Sequence, residues 1–274
     1  MKFGLAHWNT PGDTLEEFLD YTRETGFNSV ELLIDDVWPE GGPNPERRAE
    51  AVRHQLESRG LLASALTADG YTAEADFVVL EETAVAAQVG RMKRICELAT
   101  IVGTQTVVFE GGSAKDTVPE ERWAEAISGC VSRCREFLEP MGIRLALENH
   151  GWVVNKAELQ LDVLRRVNSP NVGLTLDTMN YRWFGHDLST VDRYYEMVAE
   201  HVFFTHIKDG RGIRENYVGT PLGEGEVHLD HALACLRRSG YQGVWCIEYE
   251  GPDPAEGCRK SLEWLRQHLQ GSST

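Results

Sequence analysis

Hydrophobic and polar positions along the chain alternate between two periods. Eight short apolar runs, near 3–7, 28–34, 61–67, 105–110, 143–148, 172–177, 202–207 and 243–249, are rich in β-branched, aromatic or leucine residues and read as strands. Between them the period lengthens to that of a helix. Trp123, Ile127, Val131, Cys134 and Leu138 recur at three- and four-residue steps, which predicts a helix within 117–141 whose apolar face packs on a sheet. Thr14 with Glu17, Thr117 with Glu120, and Asn155 with Glu158 have the spacing of capping boxes. Gly26, Gly60, Gly103, Gly142 and Gly240 fall where helices should stop.

Strands alternating with helices call for a parallel sheet, and eight such units close most economically into a single α/β barrel, a (β/α)8 TIM barrel. An open dinucleotide-binding sheet lacks its marker, since no GxGxxG follows the first strand. The 274 residues suit one barrel, expected over 1–270, with a flexible tail at 271–274.

Four of the runs end in residues able to bind a metal. IRLALE ends in Glu148, VGLTLD in Asp177, VFFTHI carries His206 and VWCIE ends in Glu248, at spacings of 29, 29 and 42 residues. Each spacing accommodates a strand, a helix and two connections. In a barrel the C-terminal strand ends face one mouth, so these four converge. If they point inward, strand alternation also turns Ala146, Thr175, Phe204 and Cys246 inward, mostly the small or apolar groups that a filled barrel needs. A set with oxygen donors in the majority suits a moderately hard divalent ion, Mn²⁺ foremost or Mg²⁺, with Co²⁺ or Zn²⁺ as alternatives. Taken singly, each residue reads equally well as a rim polar group in a salt bridge; four successive strand ends favour the metal.

Lysine and arginine number 27 against 43 acidic residues, giving a formal charge of −16, a field that repels nucleic-acid phosphates and anionic lipid. No run approaches the ~18 apolar residues of a membrane span, and the first residues lack the pattern of a secretory signal, so a soluble cytoplasmic protein is expected. Six cysteines include no CxxC pair and read as free buried thiols.

The ENH after the fifth strand, LxxDxxN after the sixth, HIKD after the seventh, the PLGEGEV loop at 221–227 and the terminal IEYEG resemble the xylose isomerase-like barrel superfamily. They are most similar to its sugar isomerase and epimerase branch, which includes inosose dehydratase, hydroxypyruvate isomerase and tagatose/psicose 3-epimerase. The resemblance implies a metal held by Glu148, Asp177, His206 and Glu248, with Glu148 and Glu248 also serving as catalytic acid and base beside a sugar carbonyl. It implies a small carbohydrate or polyol substrate and metal-stabilised enediolate chemistry, giving isomerisation or epimerisation. Elimination from a keto-inositol or 3-keto-glycoside is the alternative. Two positions depart from the epimerase pattern: Asn180 stands where a substrate-touching histidine is usual, and Val154 where a second glutamate is. His150 supplies a polar group that those enzymes often lack there, which leaves room for elimination.

Around the quartet, His7, Glu110, His150, Asn180, Lys208 and Arg211 are candidate substrate contacts, with Arg211 preferred over Arg214. His7 reads equally as packing on Trp8. Glu31, an acid inside an apolar run, must be paired, to a loop backbone or to substrate. Asp209 either orients His206 or ties a loop, and Lys208 with Asp209 reads otherwise as a solvated pair. Glu224 is a candidate for tying the 221–227 loop across the mouth, and Trp38, Trp152, Trp183 and Phe184 for apolar walls. His54, His201, His228, His231 and His268 read as ordinary surface or core residues. Two competing readings remain: an endonuclease IV-like phosphodiesterase, which needs a three-metal cluster, and a catalytically silent sugar-binding barrel. Homo-oligomer formation through the helical shell is a further expectation.

Overall fold

The computed structural model describes residues 1–39, 42–69 and 76–270; the expected tail at 271–274 lies outside them. Eight parallel strands close into a barrel: β1 (Phe3–Ala6), β2 (Ser29–Leu33), β3 (Leu62–Thr67), β4 (Thr106–Phe109), β5 (Arg144–Glu148), β6 (Val172–Asp177), β7 (Val202–Ile207) and β10 (Trp245–Ile247). Two further strands, β8 (Asp209–Arg211) and β9 (Val218–Thr220), form an antiparallel hairpin after β7 that the apolar runs did not announce. Each has three residues, with a glycine in the middle, and so carries too little pattern to be seen.

Helices α1 (Leu15–Thr25), α3 (Pro45–Arg59), α4 (Glu82–Val102), α5 (Trp123–Met141), α6 (Ala157–Val167), α8 (Leu188–Val198), α9 (Leu229–Arg238) and α10 (Pro254–Gln270) surround the sheet. Short α2 (Ile34–Val37) and α7 (Asn180–Phe184) follow β2 and β6 directly. Ile127, Val131, Cys134 and Leu138 of α5 are fully buried, as their period required. Thr14 and Glu17 form the expected capping box. The other two boxes do not form. Chain 120–122 is a 3₁₀ turn capped by Pro119, and Asn155 turns its amide onto the Trp152 and Gly151 carbonyls while Lys156 caps α6. At Asn155 the loop takes the side chain that would have capped the helix. All six cysteines are free and buried, and no described helix is long and apolar enough to cross a membrane.

Two apolar clusters hold the fold. The larger lies between strands and helices; the smaller fills the barrel with Ala6, Ala65, Val108, Ala146, Phe204, Val244 and Cys246. Three of the four inward companions of the quartet belong to this plug, and the fourth, Thr175, is fully buried. The plug is the floor on which the polar site rests.

Candidate metal and active site

Strand register brings the quartet together. Asp177 pairs with His206 across β6 and β7, while Glu148 pairs with Thr175 and His206 with Cys246, so the barrel's stagger lifts Glu148 and Glu248 around the histidine. One ligand atom from each of Glu148, Asp177, His206 and Glu248 falls within 4.8 Å of all the others. His206 Nδ1 lies 3.0 Å from Glu148 Oε1 and 3.1 Å from Glu248 Oε2.

Residues beyond the quartet fix this geometry. Asn149, fully buried, accepts the Asp177 N–H at 2.8 Å and donates to the Asp177 carbonyl at 2.9 Å, clamping the end of β5 to that of β6. Thr178 Oγ1 accepts the Lys208 N–H at 2.9 Å and donates to the Lys208 carbonyl at 2.6 Å, joining β6 to the strand after it. Asp177 Oδ1 accepts the N–H groups of Met179 and Asn180 at 2.6 and 2.8 Å, which aims its other oxygen at the site. Asn149 lies within the ENH motif, where nothing in the sequence separates a strand clamp from an ordinary loop amide.

The site's charges are tightly balanced. Lys208, buried, reaches Glu248 at 2.9 Å, Glu250 at 3.0 Å and Asp177 at 3.5 Å. Burial pushes the Glu148 carboxyl up against the pull of His206, and pushes Asp177 up to about 7 despite Lys208. Burial works the same way on Glu248, but Lys208 and His206 together outweigh it and hold this carboxyl below its ordinary range. The carboxylates in turn hold His206 and Lys208 well above their ordinary values, although burial opposes this.

These groups fit a divalent cation. Asp177 Oδ2 is buried and makes no hydrogen bond, and the Lys208 ammonium stands 3.5 Å from it, which leaves a lone pair for a cation at closer range. Three carboxylates and one imidazole supply a mixed oxygen and nitrogen set of the kind such ions take.

Above the quartet opens a cavity of about 230 Å³ lined by His7, Trp8, Glu31, Thr67, Asp69, Glu110, Glu148, His150, His206, Glu248 and Glu250 among others. A larger depression of about 540 Å³ lies at the opposite end of the barrel, beneath the strand starts, and contains none of the quartet. His7 lines the site cavity with its Nδ1 2.9 Å from Asp36 and its ring stacked on Phe18 rather than on Trp8. Glu110 and His150 pair across the wall at 2.6 Å. Asn180 lies behind the carboxylates, donating to Glu148 at 3.1 Å and accepting from Lys208 at 3.4 Å.

Arg211 is exposed and donates both its Nε and an Nη to the Glu224 carbonyl, away from the cavity lining. Asp209 does not touch His206; it accepts the N–H groups of Gly210, Gly223 and Gly225, each at 2.9 Å, and so ties the 221–227 loop to β8. Glu224 contributes its carbonyl to that loop, while its carboxylate faces Lys260 at 3.8 Å. Glu31 pairs with His206 and Thr67 rather than with a loop backbone, and it lines the cavity. Trp38 lies under Arg91, and Trp152 and Phe184 stack edge to face beneath Arg214; none of these rings, nor Trp183, lines the cavity. Glu250, Asp69 and Thr67 line it without having been singled out. The alternation that turns Glu248 inward also favours Glu250, two residues on.

Comparison with known proteins agrees with the architecture. The chain is 20% identical to the inosose isomerase of Halalkalibacterium halodurans, over 86% of this chain and 82% of that one. It is 23% identical to the L-ribulose-5-phosphate 3-epimerase UlaE of Escherichia coli, over 94% and 91%. Its fold matches a crystal structure of the IOLI protein with a bound zinc atom at a TM-score of 0.79, with 20% identity and 99% of each chain covered. The family model for the xylose isomerase-like TIM barrel matches residues 19–268, and the chain belongs to that family.

Proposed function

We propose that the protein is a divalent-metal-dependent isomerase or epimerase of a sugar or keto-polyol. The observation that carries this is the placement of Glu148 and Glu248, from two different strands, on either side of His206 Nδ1 at the base of a cavity large enough for one sugar ring. Relatives named as an inosose isomerase and a ribulose-phosphate epimerase support the reaction class, and the zinc-bound IOLI structure supports a divalent ion. The oxygen-rich donor set places Mn²⁺ first among candidates, with Mg²⁺, Co²⁺ and Zn²⁺ after it.

Glu148, Asp177, His206 and Glu248 would hold the ion, which when bound polarises a carbonyl and its neighbouring hydroxyl and makes the adjacent C–H acidic. One glutamate removes that proton and the other returns one. Return to the opposite face of the same carbon inverts it; return to the neighbouring carbon, with the hydroxyl proton passing to the former carbonyl oxygen, moves the carbonyl. Lys208 keeps Glu248 ionised, and His150 with Glu110 on the cavity wall orients substrate hydroxyls.

One observation favours elimination as a second reading. His150 is held above its ordinary basicity: burial pulls it down, but the carboxylates of Glu110 and then Glu148 outweigh that. An imidazolium at the wall can protonate a departing β-hydroxyl of a keto-inositol, or the glycosidic oxygen of a 3-keto-glycoside, while a glutamate takes the α-proton, so that water or an alcohol leaves. Phosphodiester chemistry has less support, since one group of four donors is found among the described residues where three metals would be needed.

Purified protein with Mn²⁺ in deuterated water, offered keto-sugars, keto-inositols and 3-keto-glycosides, tests the proposal by NMR. Deuterium entering carbon marks isomerase or epimerase chemistry, and loss of a hydroxyl or an alcohol marks the lyase. Sugar binding without either would refute both and leave a silent binding barrel.

A further inference from the structure

We infer that Glu31 is the positioning residue that fixes which nitrogen of His206 faces the metal position. The inference rests on the reading of the quartet as a metal site. Glu31 sits on β2, where the pairing with β3 slips by one residue, Val30 opposing Ala63 but Glu31 opposing Ala65. That irregularity lies beside a side chain sent into the barrel rather than into the helix layer. Once there, both carboxylate oxygens are engaged. Oε2 lies 2.6 Å from His206 Nε2, and Oε1 accepts the Thr67 hydroxyl at 2.5 Å. The Cys246 thiol lies 3.7 Å from Oε2 on the remaining side. Glu31 is 2% exposed, so water does not compete for these bonds.

An ionised carboxylate only accepts, so the proton shared with it resides on Nε2 of the ring. Nδ1, the atom 3.0 and 3.1 Å from Glu148 and Glu248, is then the nitrogen that gives up its proton, and offers its lone pair, when an ion arrives. A carboxylate behind a ligating imidazole also raises its donor strength, and loss of such a partner typically costs 10- to 100-fold in metal affinity. Thr67 closes the arrangement by holding the other oxygen, so Glu31 cannot swing toward the ion itself.

The test compares wild type with E31Q and E31L. Zn²⁺ affinity is read by titration calorimetry, and the His206 tautomer by two-bond ¹H–¹⁵N correlation of the Zn²⁺-loaded, ¹⁵N-histidine-labelled protein, with H206N to assign the signals. Gln keeps an acceptor for Nε2–H and loses only the charge; Leu keeps the bulk and loses the acceptor. The expected result is ~10- to 100-fold weaker binding in E31L with a mixed or reversed tautomer, and substantial recovery of both in E31Q. Thermal melting of the metal-free proteins identifies any variant that fails to fold, and E31Q then carries the comparison, with weakened binding and an unchanged tautomer expected. E31L that binds Zn²⁺ as wild type does, with the same tautomer, would overturn the inference, and so would E31Q that binds no better than E31L or shows a reversed tautomer. Wild type that binds no Zn²⁺ would instead overturn the metal reading on which it rests.

Discussion

Replacing Lys208 with methionine is the most severe test of how the site is held together without an ion. Lys208 is 3% exposed and its ammonium reaches Glu248, Glu250, Asp177 and the side-chain amide oxygen of Asn180 within 3.5 Å, so methionine retains most of the stem's packing but leaves buried carboxylates without their counter-charge. Breaking a buried pair by removing one partner costs about 3–5 kcal/mol. At about 2–4 °C per kcal/mol for a chain somewhat shorter than this one, the metal-free variant should melt roughly 6–20 °C below wild type near pH 8. The sign of the pH dependence follows from the two carboxyls nearest the amine. Glu248 is depressed in the folded protein, so its stabilisation is present above its unfolded value of 4.5 and disappears as pH falls. Asp177 is raised from 3.8 to about 7, so its charge already costs stability above that range, and losing Lys208 raises the cost. Acid relieves both carboxyls in the variant, and the gap between the proteins should shrink from pH 8 to pH 5. Saturating Zn²⁺ should narrow it at pH 8 by restoring positive charge among the same oxygens. Scanning calorimetry with chelator, and again with Zn²⁺, measures all three effects. A gap equivalent to under about 1 kcal/mol, the range of an exposed pair, or one unchanged between pH 5 and 8, would refute the argument.

Three other outcomes follow from the geometry. E148Q and E248Q, each removing one carboxylate base, should slow deuterium exchange into substrate by ~10²-fold or more while leaving sugar binding measurable; an exchange rate unaffected by either would deny them the proton-transfer role. Because Asp177 titrates at about 7 and Glu148 is also raised, protons compete with an ion for the metal-free site, and Zn²⁺ affinity by calorimetry should climb between pH 6 and 8; a flat profile would contradict these shifts. A Cβ added at Gly225 would lie 1.8 Å from Asp209 Oδ1, so G225A should displace the carboxylate from its three backbone N–H groups, cost about 1–3 kcal/mol and speed proteolysis of the 221–227 loop; wild-type melting and cleavage would show the tie to be dispensable.

What was legible in the sequence divides along a physical line. The barrel and the quartet depend on rules that act within one strand or between neighbours: apolar runs make strands, alternation sets which residues face inward, and closure gathers the strand ends. The partners of those residues depend on contacts that no local pattern encodes. Glu31 and His206 are 175 residues apart, and nothing near either one names the other. The motif letters of a capping box fit Asn155 as well as Thr14, yet Asn155 is taken by the carbonyls of Trp152 and Gly151. Arg211 ends β8, and its direction is set by the pairing with Val218 of β9, in a hairpin too short for its pattern to show.

Lys208 lies between these cases and explains why the site tolerates so many acids. Two residues beyond His206, it continues the inward alternation of β7, so the same strand that brings the imidazole also brings the ammonium. Read alone, a lysine at a strand end is a solvated charge; placed beside three inward carboxyl-bearing strand ends, it is the nearest cation that can offset them. Its contacts divide the carboxylates into unequal partners. Glu248 has Lys208 on one oxygen and His206 on the other, whereas Asp177 keeps an oxygen that makes no hydrogen bond and has Lys208 only at 3.5 Å. The protein's own cations thus stabilise the quartet's assembly while leaving one acceptor open, and an arriving ion completes the set rather than having to create it.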